Sequence, residues 1–134
     1  MSVNKETMKA IRQELKVLFP NLKMSVRMRD YSCVCVDLLE GDIDVTKHLT
    51  DRGLNVYGES RSDYISINEF YIDEHFKGQA KKLFNGILNT IYKHVGRHYD
   101  RNAGDMGADY AGWNYHIYLH VGQWNKPYIL KEAA

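Results

Sequence analysis

The chain has 134 residues, of which 44% are hydrophobic and 26% are charged, with a formal net charge of +1. This length fits a single domain with one core, which we expect to span residues 1–134. The near-zero charge argues against an acidic DNA mimic and against a strongly basic nucleic-acid binder, although it allows local patches of charge. The sequence has no apolar run of membrane-spanning length, no signal-peptide core and too few cysteines for a disulfide framework, so we expect a cytoplasmic location.

The first predicted element is an amphipathic helix over the stretch NKETMKAIRQELKVLFP. Asn4 is a suitable N-cap, and Pro20 ends the helix because it biases the preceding residue away from the α region. One apolar face recurs at helical spacing and predicts the buried side of this helix: Met8, Ile11, Leu15 and Leu18.

The next two segments predict a β-hairpin. LKMSVRMR alternates with a period of two, which places one set on the core face (Leu22, Met24, Val26, Met28) and the other outside (Lys23, Ser25, Arg27, Arg29). CVCVDLL is almost continuously apolar, so we expect a strand that is covered on both faces. Its two cysteines are interpreted as small buried hydrophobic residues.

The middle of the chain is less regular. DVTKHLTDRG predicts a short helix closed by Gly53. LNVYGESRSDY is typical of a surface loop or a ragged edge strand, and YISINEFYI predicts a strand through Ile65, Ile67 and Phe70. Asp73 then caps a second long helix over EHFKGQAKKLFNGILNTIYKHVGRH, which has a broad apolar face.

A glycine- and aspartate-rich loop, DRNAGDMGADYAG, leads to the last predicted strand, WNYHIYLHVGQWNKPY. Alternation assigns one set of its residues to the core (Trp113, Tyr115, Ile117, Leu119, Val121) and the other to the outer face (Asn114, His116, Tyr118, His120). Together these elements predict an α+β fold in which two long helices pack on one face of a mostly antiparallel four- or five-stranded sheet.

Four histidines are candidate chemical groups. His116 and His120 lie roughly 13 Å apart along a strand, too far to share a metal ion, and neither has a visible orienting partner, so we interpret them as a half-exposed polar face. His94 and His98 are spaced i, i+4 and are weak candidates for a metal site, with Asp100, Asp105 or Asp109 as a third ligand. The alternative is that they stabilise a helix C-terminus. We expect no cofactor.

A cluster of lysines suggests a nucleic-acid alternative. Lys77, Lys81 and Lys82 lie together on the second long helix, and the element order is loosely similar to that of a double-stranded-RNA-binding domain. An inserted stretch at 40–64, an additional last strand and the low net charge argue against this interpretation. An ordinary solvated helix face, with Asp73 and Lys77 as an i, i+4 pair, is the other explanation.

Two stretches resemble the large polyvalent-protein-associated domains of phages and conjugative elements. IRQELKVLFPNLKMSVRMRDYS (Ile11 to Ser32) is similar to the opening of such a domain, and DYAGWNYHIYLHVGQWNKPY (Asp109 to Tyr128) is similar to its end. The matching positions of the second stretch are Asp109, Tyr110, Asn114, Tyr115, Gly122, Trp124, Lys126, Pro127 and Tyr128. The resemblance implies an accessory module of a mobile element, and it supplies no catalytic motif.

From these observations we expect a non-enzymatic binding module that contacts a host or element-encoded protein and acts against host defence. The predicted contact surface combines Arg27, Arg29 and Tyr31 with Trp124, Lys126 and Tyr128, because tyrosine, tryptophan and arginine are favoured in protein contacts. A simpler alternative for the last three is closure of the core. The other two hypotheses are nucleic-acid binding through Lys77, Lys81 and Lys82 and a metal-dependent enzyme centred on His94 and His98.

Overall fold

The computed structural model of the chain describes residues 3–29, 33–57, 64–98, 115–123 and 125–131. Within these ranges the elements are α1 (Lys5–Leu18), β1 (Lys23–Arg29), β2 (Cys33–Gly41), a 3-10 helix (Val45–His48), α2 (Asp51–Tyr57), β3 (Ile65–Ile67), α3 (Ile72–His75), α4 (Gly78–Val95), β4 (His116–Val121) and β5 (Ile129–Leu130). None of these helices is long and apolar enough to cross a membrane.

Helix α1 begins at the predicted cap. The Asn4 side chain accepts a hydrogen bond from the Thr7 backbone N–H at 2.9 Å, and the Thr7 hydroxyl accepts one from the Asn4 N–H at 2.9 Å. This reciprocal capping box satisfies two donors that the first turn leaves unpaired. Met8, Ile11 and Leu15 are buried as predicted, whereas Leu18 is 51% exposed, because it lies at the last turn where the helix leaves the core.

The five strands form one mixed sheet in the order β1-β2-β4-β3, with β5 paired to the end of β2. The β1–β2 and β3–β4 pairs are antiparallel, and the β2–β4 and β2–β5 pairs are parallel. The predicted α+β class and the first hairpin are therefore confirmed, but the sheet is not mostly antiparallel. The chain passes through α4 between β2 and β4, and a long crossover of this kind is what parallel pairing requires.

The core lies between the sheet and the two long helices. Alternate residues of β2 (Val34, Val36, Leu38) and their register partners in β4 (Ile117, Leu119, Val121) are all at most 3% exposed. Helix α4 contributes its broad apolar face, including Phe84, Ile87 and Ile91, and α1 packs beside it. The predicted core face of the last strand is thus confirmed from Tyr115 to Val121, while Trp113 lies outside the described residues.

The predicted second helix is interrupted. Asp73 lies in the first turn of the short helix α3, and α4 begins only at Gly78, after Lys77 as the N-cap. Gly78 has a φ of +58°, and a Cβ there would lie 2.9 Å from Cδ2 of His48. The Lys77 N–H donates to the carbonyl of His48 at 2.8 Å. The chain therefore breaks to run against the 3-10 helix, a tertiary contact that helical periodicity does not reveal.

Two smaller expectations for the middle segment are also wrong. Gly53 does not close a helix, because α2 continues through it to Tyr57 and buries it. Residues 54–57, expected as loop or edge strand, are helical, and residues 58–63 of the same stretch lie outside the described residues. The strand after it is confirmed only for Ile65–Ile67, since the chain turns at once and leaves Phe70 50% exposed.

Candidate functional site

The face of the sheet opposite the helices carries polar side chains. Side chains alternate along a strand, so the residues between the core positions point to this face: Arg27 pairs with Cys35, Cys35 with Tyr118, and Asp37 with His120. They line a cleft of about 410 Å³, which we call the sheet-face cleft and define by its lining residues: Arg27, Arg29, Cys35, Asp37, Tyr64, Tyr118, His120, Gln123 and Asn125.

Asp37 forms the floor of this cleft and is only 3% exposed. Its Oδ1 lies 3.0 Å from Nδ1 of His120, and its Oδ2 accepts a hydrogen bond from Nε2 of Gln123 at 3.0 Å. An Nη of Arg27 lies 3.7 Å from Oδ2. Burial by itself raises the pKa of Asp37, but the hydrogen bonds from His120 and Gln123 and the charges of His120 and Arg27 outweigh it, and the pKa lies below its usual value. Asp37 is therefore a buried carboxylate with three partners.

His120 is held in one orientation by two neighbours. Asp37 engages Nδ1, and the ring of Tyr64 stacks on the imidazole with 6.0 Å between ring centroids and 14° between planes. About a quarter of the His120 side chain is exposed (25%), and among the described residues Nε2 has no hydrogen-bond partner. A carboxylate at Nδ1 favours the tautomer that carries its proton there, so Nε2 is the nitrogen available for exchange with a ligand.

The interpretation of His120 as an isolated polar-face residue is thus wrong in one respect, because it does have an orienting carboxylate. The two residues are far apart in the chain and meet only through the parallel β2–β4 pair. One signal was present in the sequence. Asp37 interrupts the otherwise apolar stretch CVCVDLL, and a charge within a doubly covered strand needs a partner.

Four of the six predicted protein-contact residues lie in the described part of the chain: Arg27, Arg29, Lys126 and Tyr128. Arg27 and Arg29 line the sheet-face cleft, and Lys126 is exposed in a turn where the Gln123 N–H donates to its carbonyl at 2.7 Å. Tyr128 is buried, with 9% exposed, and its hydroxyl donates to the carbonyl of Ile43 at 3.0 Å. Its ring closes the core beside β2 and offers little surface to a partner. Tyr31 and Trp124 lie outside the described residues.

The two candidate metal ligands have separate partners. Helix α4 ends at Val95, so His98 does not continue the helical spacing from His94. Nε2 of His94 lies 3.2 Å from Oε1 of Glu14, whereas Nε2 of the buried His98 lies 3.4 Å from Oε1 of Glu69. In the part of the chain that the structure describes, no three histidine, cysteine or acidic residues are placed to hold a metal ion. Asp100, Asp105 and Asp109 fall outside it.

The lysine cluster is an exposed strip at the start of α4. Lys77 precedes the helix as its N-cap, and Lys81 and Lys82 lie in the first two turns. Nζ of Lys81 is 4.0 Å from Oδ1 of Asp73, so this strip carries an acidic neighbour. Asp73 is paired with Lys81, where the sequence suggested Lys77. The geometry of these described residues is that of a solvated helix face.

A second depression lies at the edge of the sheet, between α1 and β1. We call it the edge groove, of about 520 Å³, lined by Arg12, Leu15, Lys16, Pro20, Leu22, Lys23, Met24 and Val26. Nε of Arg12 donates a hydrogen bond to the carbonyl of Val26 at 2.7 Å. The groove therefore combines apolar side chains, three cations and an edge strand that accepts hydrogen bonds from outside the sheet.

Comparison with known proteins gives one family. A family model described as large polyvalent protein associated domain 29 matches residues 2–120. No curated protein and no solved structure matches the chain. The match includes Arg27, Asp37 and His120 of the sheet-face cleft, while Gln123 and the closing motif from Gly122 to Tyr128 lie beyond it. The resemblance noted in the sequence is confirmed, and it associates the chain with polyvalent proteins of phages and other mobile elements. The chain belongs to the large polyvalent protein associated domain 29 family.

Proposed function

We propose that the chain is a binding module of a mobile-element protein and that it binds single-stranded nucleic acid in the sheet-face cleft. The observation that carries this proposal is the combination of Arg27 and Arg29 with the rings of Tyr64, Tyr118 and His120 around one polar cleft. Guanidinium groups bind phosphate oxygens in a bidentate manner, and aromatic rings stack on unpaired bases. A single strand presents both phosphate groups and unpaired bases to the cleft.

The arrangement of the cations supports an extended ligand. Arg27 and Arg29 are two residues apart on β1, roughly 7 Å along the strand, so each addresses a different phosphate group. The Arg27 side chain is 58% exposed although it also lies near Asp37, and Tyr118 is 44% exposed. Asp37 does not repel a polyanion strongly, because it is buried beneath its partners. The described lining of the cleft places the rings of Tyr64 and Tyr118 beside these arginines, as stacking of unpaired bases requires.

Binding is tested by fluorescence anisotropy with labelled single-stranded RNA, single-stranded DNA and a duplex, each at low and at physiological salt. The decisive variants are Arg27→Ala/Arg29→Ala and, as a control of equal charge, Lys81→Ala/Lys82→Ala. The arginine pair is expected to lose at least about tenfold in affinity for single strands, and the lysine pair to bind like the wild type. Loss in the lysine pair alone would favour the helix-face alternative. No binding of any probe at low salt would overturn the proposal.

Protein contact is a second candidate, and the edge groove favours it. An extended peptide can add to an exposed edge strand and place alternate side chains into neighbouring pockets. Leu15, Leu22 and Val26 offer an apolar floor, and a basic rim of Arg12, Lys16 and Lys23 fits an acidic segment of a host protein. Such a contact would serve action against host defence. In quantitative affinity capture from the host, a protein retained by wild type should be lost with Lys16→Glu/Lys23→Glu and kept by Lys5→Glu/Lys9→Glu.

A further inference from the structure

Binding alone does not explain the floor of the sheet-face cleft. A stacking and phosphate-binding surface needs arginines and rings, but it does not need a buried carboxylate that orients a histidine. Asp37 is 3% exposed, its carboxylate oxygens are occupied by His120 and Gln123, and Nε2 of His120 has no hydrogen-bond partner within the described part of the chain. An imidazole fixed by a carboxylate at one nitrogen, with the other nitrogen unengaged, is the usual arrangement of a histidine that transfers protons.

We propose that the sheet-face cleft cleaves single-stranded RNA, with His120 as the catalytic proton-transfer residue and Asp37 as its positioning residue. This inference rests on the proposed nucleic-acid binding and names its substrate class. RNA fits the chemistry because it carries its own nucleophile, the 2′-hydroxyl. A histidine to remove the proton and a cation beside the phosphate are then the groups that the protein must supply.

The proposed step transfers one proton to His120 and breaks the RNA backbone at one phosphate. Nε2 of neutral His120 accepts the proton of the 2′-hydroxyl while the 2′-oxygen forms a bond to phosphorus. The bond between phosphorus and the 5′-oxygen of the next nucleotide breaks, and that oxygen takes a proton from water. The products are a 2′,3′-cyclic phosphate and a 5′-hydroxyl end, and His120 returns its proton to solvent. Arg27, which flanks Asp37, is placed to stabilise the charge that develops on the phosphate oxygens.

Asp37 contributes by orientation and charge. Its hydrogen bond at Nδ1 fixes the ring so that Nε2 is the basic nitrogen, and its negative charge stabilises the imidazolium formed in the step. Gln123 holds the second carboxylate oxygen, which keeps Asp37 in place. Among the residues that the structure describes, the ionisable groups that share the cleft with His120 are Arg27, Arg29, Cys35, Asp37, Tyr64 and Tyr118. A 2′-deoxy strand lacks the nucleophile and should bind without being cleaved.

The experiment incubates the full chain with an end-labelled single-stranded RNA over a range of pH and identifies the product ends by mass spectrometry. Binding is measured in parallel with the 2′-O-methyl form of the same strand, which cannot be cleaved. His120→Ala should bind the 2′-O-methyl strand normally and cleave RNA about 10²–10⁴-fold more slowly. His94→Ala, whose histidine pairs with Glu14 in α1, is the matched control and should cleave at the wild-type rate.

Asp37→Asn supplies a readout that a purely structural role would not change. Loss of the negative charge should lower the rate of RNA cleavage, while the affinity for the 2′-O-methyl strand stays at the wild-type value. His120→Gln serves as a second variant if circular dichroism shows that the alanine variant is unfolded.

Four outcomes decide the matter. Wild-type protein that binds the 2′-O-methyl strand but leaves RNA intact at every pH overturns the inference and leaves the proposed function standing. Equal cleavage by wild type and His120→Ala also overturns it, because the activity then comes from elsewhere. Failure to bind the 2′-O-methyl strand at low salt overturns the proposed function, and the inference falls with it. Cyclic phosphate ends that are lost only in the His120 and Asp37 variants support it.

Discussion

Gly53 in α2 packs directly against the carbonyl oxygen of His75, so that a Cβ on Gly53 would lie 2.1 Å from that oxygen. The same carbonyl accepts a hydrogen bond from the Thr50 N–H at 2.9 Å. The glycine thus lets α2 approach the end of α3 at backbone distance, and it holds the short helices of the middle segment against each other.

We predict that Gly53→Ala lowers the free energy of unfolding by about 3 kcal/mol, because the obstructing atom is backbone and cannot rotate away. Gly86→Ala is the matched control in α4. Its Cβ would lie 2.8 Å from the tip of the Phe19 ring, which can move, and alanine gains about 1 kcal/mol of helix propensity there. Urea unfolding of both variants measures the difference. Equal stability of the two would show that the contact at His75 relaxes easily.

Asp37 should make the stability of the chain sensitive to acid. Its pKa is lowered in the folded state below the unfolded value of about 3.9, so the unfolded chain binds the proton more tightly. The stabilisation that ionised Asp37 gives the folded chain is therefore present above about pH 4, and it is lost as the pH falls through the folded pKa. Asp37→Asn should lower the free energy of unfolding by about 1–3 kcal/mol at neutral pH and by progressively less in acid. Urea unfolding over this range tests it, and a gap that stays constant with pH would contradict the assignment.

Tyr128 should make stability sensitive to alkali. Burial raises the pKa of Tyr128 to about 12, above an unfolded value of about 10. The stabilisation that the protonated Tyr128 gives the folded chain is fully present below about pH 10, and it is lost as the pH rises through about 12. Tyr128→Phe should cost about 1 kcal/mol at neutral pH, since the carbonyl of Ile43 loses its donor, and should weaken the alkaline decline. The exposed Tyr118→Phe is the control and should leave both quantities unchanged.

The capping box at α1 should contribute measurably. Asn4→Ala removes the acceptor for the Thr7 N–H and should lower the free energy of unfolding by about 1 kcal/mol. Lys9→Ala, on the exposed side of the same helix, should stay within about 0.5 kcal/mol of wild type. Thermal and urea unfolding of both proteins provide the comparison. A loss in Lys9→Ala as large as in Asn4→Ala would assign the effect to something other than the cap.

Salt dependence should identify which arginines contact phosphate. For a single strand, each phosphate contact adds roughly 0.7 to the slope of log affinity against log salt concentration. Arg27→Ala/Arg29→Ala should therefore reduce the magnitude of that slope by about 1.4 as well as the affinity. Titrations of labelled RNA at several salt concentrations give the slope. A double variant that loses affinity at an unchanged slope would mean that these side chains shape the cleft without meeting phosphate.

Periodicity predicted the elements in which one face alone meets the core. Met8, Ile11 and Leu15 of α1 repeat at helical spacing, and Ile117 and Leu119 of β4 alternate, so local pattern and burial agree. Periodicity did not predict the break before Gly78 or the burial of Gly53. Each depends on a tertiary contact, of Gly78 with His48 and of Gly53 with His75.

The sheet-face cleft could not be predicted from the sequence for a different reason. Strand order decides that β4 lies beside β2, and only this order brings His120 to Asp37. Arg27 was singled out from its alternation on β1 and does line the cleft. The sequence allows Tyr128 either in a contact surface or in closure of the core, and its position beside the end of β2 buries it. Residue type indicates what a side chain can do, whereas topology decides what it meets.

The place of β4 between β2 and β3 has a consequence for how the chain acquires its structure. β3 precedes β4 in the sequence, and within the described sheet it pairs only with β4. The edge of β2 that faces away from β1 also stays unpaired until β4 is in place. Strands that are far apart in the sequence lose loop-closure entropy before their contacts stabilise the pair, and this loss slows folding. During synthesis the β1–β2 hairpin and α1 can form early, but the sheet closes only when β4 is inserted. Until that moment the edges of β2 and β3 that β4 will occupy are open to other chains, and the interval before β4 insertion is the period when this protein is most exposed to misassembly.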